Sequence, residues 1–253
     1  MISLSLSTVA RVICVSNNKG GVGKTTIVAN LGFALARCFK ILLIDLDPQA
    51  NLSSGLGFEN YEENLGKYFK EIIHFRLPVV TPYVINRYVD IIPGEINLIK
   101  IENQLHDTIR AEFILKEIML PLKGKYDLII IDCPPSFNLL TINALHSSNL
   151  ILVPAKPEIF SIHGIDLVKK FANENAIPFK IIFNQVNIRS LLHRRIIQNA
   201  KEQFTGNLLN QTIRNTIVLA EAFENAQNIF RYKSESSGAS DFIKLADELL
   251  LFL

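Results

Sequence analysis

Two lysines lie close together in a glycine-rich segment, residues 18–26, which reads Asn-Lys-Gly-Gly-Val-Gly-Lys-Thr-Thr. Lys24 followed by Thr25 fits the end of a phosphate-binding loop, in which backbone N–H groups surround phosphates, the lysine reaches the β- and γ-phosphates and the hydroxyl binds magnesium. The first glycine of that pattern is replaced by Asn18, and Lys19 follows at once. The sequence therefore predicts a nucleotide site that carries one lysine more than the usual loop. The candidate contacts are Lys19, Gly20, Gly21, Val22, Gly23, Lys24, Thr25 and Thr26.

Three aspartates follow apolar runs and are candidates for the same site. Alternation along an extended chain places Asp45 and Asp47 on one side, so that both could approach a single magnesium–phosphate–water cluster. Asp132 ends another apolar run, where an acidic residue suits contact with the magnesium shell of a P-loop ATPase. An aspartate at such a point is also a common helix cap or turn former. Considered with Lys24 and Thr25, the three carboxylates are interpreted as functional.

The elements around these residues predict how they are positioned. An apolar run at residues 11–16 precedes the glycine-rich loop and a helical pattern at residues 25–37 follows it, so phosphate would meet a helix N-terminus with its free N–H groups and dipole. Further strands are predicted at residues 41–44, 89–92, 128–131, 150–153 and 181–183, and further helices at residues 63–73, 95–104, 111–123, 160–173, 191–204 and 241–250. This alternation predicts an α/β fold of the P-loop NTPase type, with a doubly wound, mostly parallel sheet and helices on both faces. The polar loops would gather at the carboxyl ends of the strands.

Size and composition narrow the class of protein. A chain of 253 residues with 49% hydrophobic and 20% charged residues is compatible with a single domain over residues 1–253. No apolar stretch approaches the roughly 18 residues of a membrane-spanning helix. Cys14, Cys38 and Cys133 form no close pair, which argues against a disulfide scaffold or an iron–sulfur site and favours a cytoplasmic location. The net charge of +2 means that any nucleic-acid binding would need a local basic patch.

These motifs together resemble the ParA/Soj family of partition ATPases, within the wider ParA and MinD group of deviant P-loop ATPases. The resemblance covers residues 19–26, residues 45–51 with 54–57, residues 131–136 with 140–145, and residues 219–222. Only residues 61–123 resemble the family loosely. The resemblance implies ATP and Mg²⁺ as cofactors and a homodimer that forms with ATP.

The resemblance also implies roles for the two lysines and the three aspartates. Lys19 would reach the nucleotide of the other subunit while Lys24 holds its own, which agrees with the physical argument that two such close lysines cannot easily share one phosphate face. By the same resemblance, Asp47 would orient the attacking water, and Lys19, Lys24 and Asp47 would form the catalytic set. Thr25 and Asp132 are implied magnesium-shell residues, and Asp45 is implied to belong to a nucleotide-sensing switch. Slow hydrolysis, stimulated by a ParB-type partner with DNA, is expected.

Contacts to adenine are predicted at two positions. Asn184 follows the predicted strand at residues 181–183, where related ATPases place a base-contacting asparagine, although a capping role is an equal alternative. Arg214 lies in a segment that packs on adenine in the family, usually with proline at this position.

Non-specific DNA binding at the nucleoid is a further implication of the resemblance. The candidate contacts are Arg189, Arg194, Arg195 and Lys201. A solvated helix face is the alternative interpretation of this basic group. Asn215 and Val218 stand where Soj-like chains usually carry arginine, and residues 234–237 replace a commonly basic run, so a weaker or displaced DNA contact is expected.

Three other functions are the alternatives to DNA partition at this point. A MinD-like positioning ATPase would act on a membrane, but residues 241–253 contain Asp241, Asp247 and Glu248 with only Lys244, and anionic lipid would repel such a helix. We therefore expect this helix to pack on the domain. A metabolic P-loop enzyme or iron–sulfur carrier would require a substrate subdomain or a cysteine pair, and neither is apparent in the sequence. A positioning ATPase for protein cargo stays open as well.

Overall fold

A single mixed sheet forms the centre of the fold. The structure, a computed structural model, describes residues 9–59, 61–158 and 163–253. The strands are β1 (Arg11–Val15), β2 (Ile41–Asp45), β3 (Tyr83–Val84), β4 (Val89–Ile92), β5 (Leu128–Asp132), β6 (Leu150–Ala155), β7 (Phe179–Val186) and β8 (Leu208–Arg214). Within the described ranges they pair in the order β3-β4-β2-β5-β1-β6-β7-β8, and only the β3–β4 pair is antiparallel.

Helices cover both faces of this sheet. They are α1 (Lys24–Leu35), α2 (Asn51–Gly55), α3 (Leu65–Ile73), α4 (Leu98–Leu105), α5 (Ile114–Met119), α6 (Leu139–Ser147), α7 (His163–Glu174), α8 (Leu191–Gln203), α9 (Ile217–Glu224), α10 (Ile229–Lys233) and α11 (Ser237–Leu249). Alternate residues of β1 enter opposite cores: Val12 and Cys14 pack with α3 to α8, whereas Ile13 and Val15 pack with α1 and α11. The predicted doubly wound α/β fold is confirmed, and its central strands are apolar on both faces because both are covered.

The structure departs from the predicted elements where local signals were weak. The helix predicted over residues 111–123 is broken into a 3₁₀ turn (Ala111–Phe113), α5 and a second 3₁₀ turn (Leu120–Leu122), where Pro121 removes a backbone donor. The first residues of the helix predicted at residues 160–173 lie outside the described ranges. Strand β8 was not predicted, because as an edge strand it carries few consecutive apolar residues.

Helix α11 packs on the sheet and closes its β8 edge. Phe242 and Leu245 are buried, as expected for a helix docked on the domain. Glu248 accepts hydrogen bonds from the backbone N–H groups of Asn210 and Gln211, both at 2.8 Å, and Asp241 accepts from the N–H of Arg214 at 3.0 Å. These carboxylates satisfy donors that an edge strand would otherwise leave open for pairing with another chain.

None of the helices among the described residues combines the length and the apolar character that crossing a bilayer requires.

Candidate active site

The glycine-rich loop connects β1 to α1 and is held by side-chain hydrogen bonds on both sides. Gly23 precedes α1 with a φ of 86°, a left-handed conformation that glycine adopts at little cost. A Cβ at this position would lie 2.1 Å from Nδ2 of Asn184, which donates a hydrogen bond to the carbonyl of Val22 at 2.8 Å. On the other side, Asn17 donates to the carbonyl of Pro154 at 2.6 Å. Both the backbone conformation and the close approach therefore require glycine at position 23.

Replacing Gly23 with alanine should destabilise the protein, because the new methyl group adds a steric collision to an unfavourable backbone conformation. We expect a loss of about 2 kcal/mol or more in the free energy of unfolding, measured by denaturant titration. Gly124→Ala is the matched control, since no atom lies within 4 Å of a Cβ built there. Equal stability of the two variants would contradict the packing described around Asn184.

Lys24 is held at the centre of the loop. Its side chain is buried, and its ammonium group donates to the carbonyl oxygens of Asn17 at 3.0 Å and of Lys19 at 3.2 Å. Burial lowers the pKa of Lys24, and the nearby carboxylates of Asp132 and Asp47 oppose that change. The ammonium group is thus fixed where the loop's N–H groups and the helix N-terminus already favour an anion.

Lys19 lies at the surface of the same loop and points away from its centre. Its ammonium group forms an ion pair with Glu158 at 2.7 Å, and the two side chains are 35% and 50% exposed. The hydrogen bond from Lys19 lowers the pKa of the Glu158 carboxyl group. The two lysines of the loop are therefore in different environments, one enclosed by its own loop and one accessible to another molecule.

Asp132 is fully buried at the end of β5, and within the described ranges neither of its carboxylate oxygens has a hydrogen-bond partner. Burial, followed by the charges of Asp45 and Asp47, raises the pKa of Asp132 well above its usual range, while the Thr25 hydroxyl and the Lys24 ammonium lower it. A buried carboxylate without partners is costly unless a cation or donor accompanies it. The oxygens of Asp132 and Thr25 are of the kind that magnesium prefers, so these residues fit a magnesium site.

Asp45 and Asp47 are close enough for their charges to interact, but their carboxylates lie in different environments. Strand β2 ends at Asp45, and Asp47 directly precedes the turn at Pro48 and Gln49. The carboxylate of Asp45 is buried and accepts hydrogen bonds from the Ser53 N–H at 2.9 Å, the Ser53 hydroxyl at 2.7 Å and the Asp47 N–H at 3.2 Å. Burial raises the pKa of Asp45 to about 6. Of the two residues, only Asp47 lines the adjacent cavity.

That cavity has a volume of about 740 Å³ and opens beside the glycine-rich loop. Besides the loop and Asp47, its lining comprises Asn51, Ser54, Gly55, Pro135, Gln185, Leu219, Ala220, Phe223 and Glu224. Gly55 makes room for Phe223, since a Cβ at Gly55 would lie 2.1 Å from the Phe223 ring. Sequence reasoning gave these wall residues no role, although residues 54–57 and 219–222 belong to the segments that resemble the family. Leu219, Ala220 and Phe223 are apolar packing residues, whereas Asn51, Ser54, Gln185 and Glu224 bring polar groups to the cavity wall.

The two predicted adenine contacts lie outside this lining. The side-chain amide of Asn184 donates a hydrogen bond to the carbonyl of Val22 and accepts one from the N–H of Gln185. The guanidinium of Arg214 binds both carboxylate oxygens of Asp241, at 2.7 and 2.8 Å. Arg214 and Arg189 instead line a neighbouring hollow of about 480 Å³. The structural roles of both side chains are clear, and adenine contact remains a prediction.

The predicted DNA contacts are exposed at the end of β7 and along α8. Arg189 precedes α8, which carries Arg194, Arg195 and Lys201. The guanidinium of Arg194 donates to the carbonyl of Ile188 at 2.8 and 3.0 Å. Leu191 and Leu192 lie among these residues and are 75% and 53% exposed. The structure thus exposes all four basic residues on α8 or just before it, on a surface that is partly apolar.

A parallel sheet with a strand–glycine loop–helix junction, a buried loop lysine and a buried carboxylate at the neighbouring strand end defines a P-loop ATPase. Residues 10–181 match a family described as an AAA domain, and the chain belongs to that family.

Within this class the chain belongs to the Soj/ParA group of partition ATPases. It is 34% identical to the sporulation initiation inhibitor protein Soj of Bacillus subtilis, over 94% of this chain and 98% of Soj. Among solved structures it is similar to the septum site-determining protein MinD of Pyrococcus horikoshii with Mg-ADP, at 30% identity, a TM-score of 0.77 and coverage of 95% and 96%. Apo McdA from Cyanothece shares the fold, with a TM-score of 0.82, 21% identity and coverage of 94% and 99%.

Proposed function

We propose that this protein is a partition ATPase whose ATP-bound dimer binds DNA without sequence preference and segregates plasmid or chromosome cargo with a ParB-type partner. Residues 1–253 would act as one ATPase domain in the cytoplasm, at the nucleoid. The observation that carries the proposal is the different placement of the two loop lysines. Lys24 is enclosed by its own loop, whereas Lys19 is at the surface and accessible to a second subunit.

ATP and Mg²⁺ are the cofactors of this site, in agreement with related structures that contain magnesium with ADP or an ATP analogue. The loop N–H groups and Lys24 would bind the phosphates, and Thr25 with Asp132 would hold Mg²⁺. When bound there, the metal would supply positive charge that neutralises the phosphate oxygens. Asp47 lines the cavity and would orient the attacking water, because phosphoryl transfer depends mainly on such positioning.

Lys19 must leave Glu158 before it can bind a partner's nucleotide. The pair is partly exposed, and exposed ion pairs contribute about 1 kcal/mol or less to stability. A triphosphate with several negative charges offers the ammonium group a stronger partner than one carboxylate does. Exchange of Glu158 for nucleotide would therefore cost little, and the enclosed Lys24 would remain in its own loop.

DNA retention with ATP, with ADP and without nucleotide tests the DNA-binding part of the proposal. Wild-type protein should be retained on DNA with ATP, and raised salt should weaken that retention steeply. Simultaneous replacement of Arg189, Arg194 and Arg195 by alanine should lower retention and reduce the salt slope by roughly one for each arginine that binds a phosphate. Arg87→Ala is the matched control. Arg87 is an exposed arginine that lies over the ring of Tyr88 before β4, and it is not part of the surface around α8. Equal retention in all nucleotide states would contradict the switch.

Positioning of protein cargo is a second candidate, favoured by one observation. The basic surface on α8 carries exposed Leu191 and Leu192, and Ile217 is exposed at the start of α9. Exposed apolar side chains next to arginines are common at protein–protein interfaces. A surface that only binds DNA phosphates does not need them. Failure of the wild-type protein to bind DNA with ATP at low salt would favour this candidate. The acidic side chains of α11 bind other parts of the chain, so we do not propose a membrane partner.

A further inference from the structure

We propose that Tyr61 is a positioning residue for Asp47, and that it acts through the turn at residues 93–94 and the hydroxyl group of Ser53. Tyr61 does not line the cavity and lies in the part of the chain that the family motifs do not cover. The inference rests on the proposed role of Asp47 in orienting water. It adds a residue outside the motifs to the hydrolysis step.

A continuous series of hydrogen bonds connects the two residues. The N–H of Asp47 donates to Asp45, whose other carboxylate oxygen accepts from the Ser53 hydroxyl at 2.7 Å. The same hydroxyl accepts from the N–H of Gly94 at 3.1 Å, and the carbonyl of Gly94 accepts from the phenol of Tyr61. Ser53, Asp45 and Gly94 are buried, so water does not compete for these bonds. Each group in the series is therefore fixed by the next.

Close packing provides a second, independent link between the turn and Asp47. A Cβ at Gly94 would lie 2.8 Å from the backbone oxygen of Asp45 and 2.9 Å from that of Asp47. The backbone of Gly94 thus lies directly against the segment that carries the candidate catalytic carboxylate. Because no space separates them, a shift of the turn must shift the backbone of Asp47 as well.

The turn is also held by the segment at residues 61–65. The N–H of Leu65, at the start of α3, donates to the carbonyl of Pro93 at 2.9 Å. Tyr61 packs its ring against Tyr83, with centroids 6.4 Å apart, and burial raises the pKa of its phenol, so that the hydroxyl remains a donor at neutral pH. The position of the turn is therefore set by the segment at residues 61–65. A structural change in that segment would reach Asp47 without touching the nucleotide.

Tyr61→Phe tests the proposal by removing only the hydroxyl group. We expect kcat for ATP hydrolysis, measured by steady-state phosphate release at saturating ATP, to fall about fivefold, which corresponds to the loss of one hydrogen bond. The affinity for a fluorescent ATP analogue should stay within about twofold of wild type. Gly94→Ala, which displaces the backbone of Asp47, should lower kcat about a hundredfold with the same retained affinity. Tyr88→Phe is the matched control and should behave as wild type in both measurements.

Wild-type kcat in either Tyr61→Phe or Gly94→Ala would overturn the proposal. A fall in nucleotide affinity as large as the fall in kcat would also overturn it, because it would show a general structural role. Asp47→Asn, measured in parallel, separates this failure from that of the proposed function. If Asp47→Asn loses turnover while the other two variants keep it, only the connection to Tyr61 is wrong. If Asp47→Asn keeps turnover, the role of Asp47 itself is wrong.

Discussion

Replacing Lys24 with alanine should abolish the nucleotide response of this protein. The ammonium group is buried in the loop and is positioned by the carbonyl groups of Asn17 and Lys19. Removal of a charge-assisted hydrogen bond to phosphate in a partly enclosed site should weaken ATP binding at least about a hundredfold. Titration with a fluorescent ATP analogue in the presence of Mg²⁺ measures this directly.

The control for this variant is Lys233→Ala, which removes an exposed lysine from α10 and should leave ATP affinity unchanged. Thermal unfolding of both variants separates loss of binding from loss of folding. ATP affinity of Lys24→Ala close to that of wild type, in a folded protein, would show that the loop lysine does not hold the phosphates.

Replacing Asp47 with asparagine should stop turnover while ATP binding and dimer formation persist. Asp47 accepts a hydrogen bond from the Gln49 N–H at 2.9 Å, and asparagine can keep this bond while losing the negative charge that would orient the water. General-base and water-positioning groups typically contribute about a hundred- to ten-thousandfold, so we expect a fall in kcat within that range. Phosphate release and analogue affinity, measured on the same preparation, separate the two effects.

Asp107→Asn is the matched control, since Asp107 is exposed beyond the end of α4 and away from the cavity. Its kcat should equal that of wild type. Turnover by Asp47→Asn at the wild-type rate would remove Asp47 from the hydrolysis step.

The sequence was sufficient to predict the fold and the phosphate-binding loop, because their signals are local. The order of apolar strand, glycine-rich loop and helix is contained in residues 11–37, and continuous apolar runs such as β5 are typical of strands buried on both faces. The need for glycine at position 23 also follows from the loop pattern. Its contact with Asn184 does not, because it depends on β7 lying next to β6, which in turn pairs with β1.

The sequence spacing of Asp45 and Asp47 could not show that only Asp47 lines the cavity. Asp45 is removed from the cavity by Ser53, whose position depends on the short helix α2 and on the turn after β4. Similarly, the cavity wall forms where Gly55 meets Phe223 from a distant part of the chain. Both features arise from packing between elements that carry no distinctive sequence pattern. Strand β8 was not predicted for a related reason. Its free edge is stabilised by α11, a contact between distant parts of the chain that leaves no local pattern in the strand itself.

The central claim is that two subunits are joined through ATP, each with Lys19 at the other's nucleotide. Its most direct test is the molecular mass in solution of wild type, Lys19→Ala and the control Lys70→Ala, measured with saturating ATP and Mg²⁺ in the Asp47→Asn background to prevent hydrolysis. We predict a dimer for wild type and Lys70→Ala, and a monomer that still binds ATP for Lys19→Ala. A dimer for Lys19→Ala, or a monomer for all three proteins, would contradict the claim.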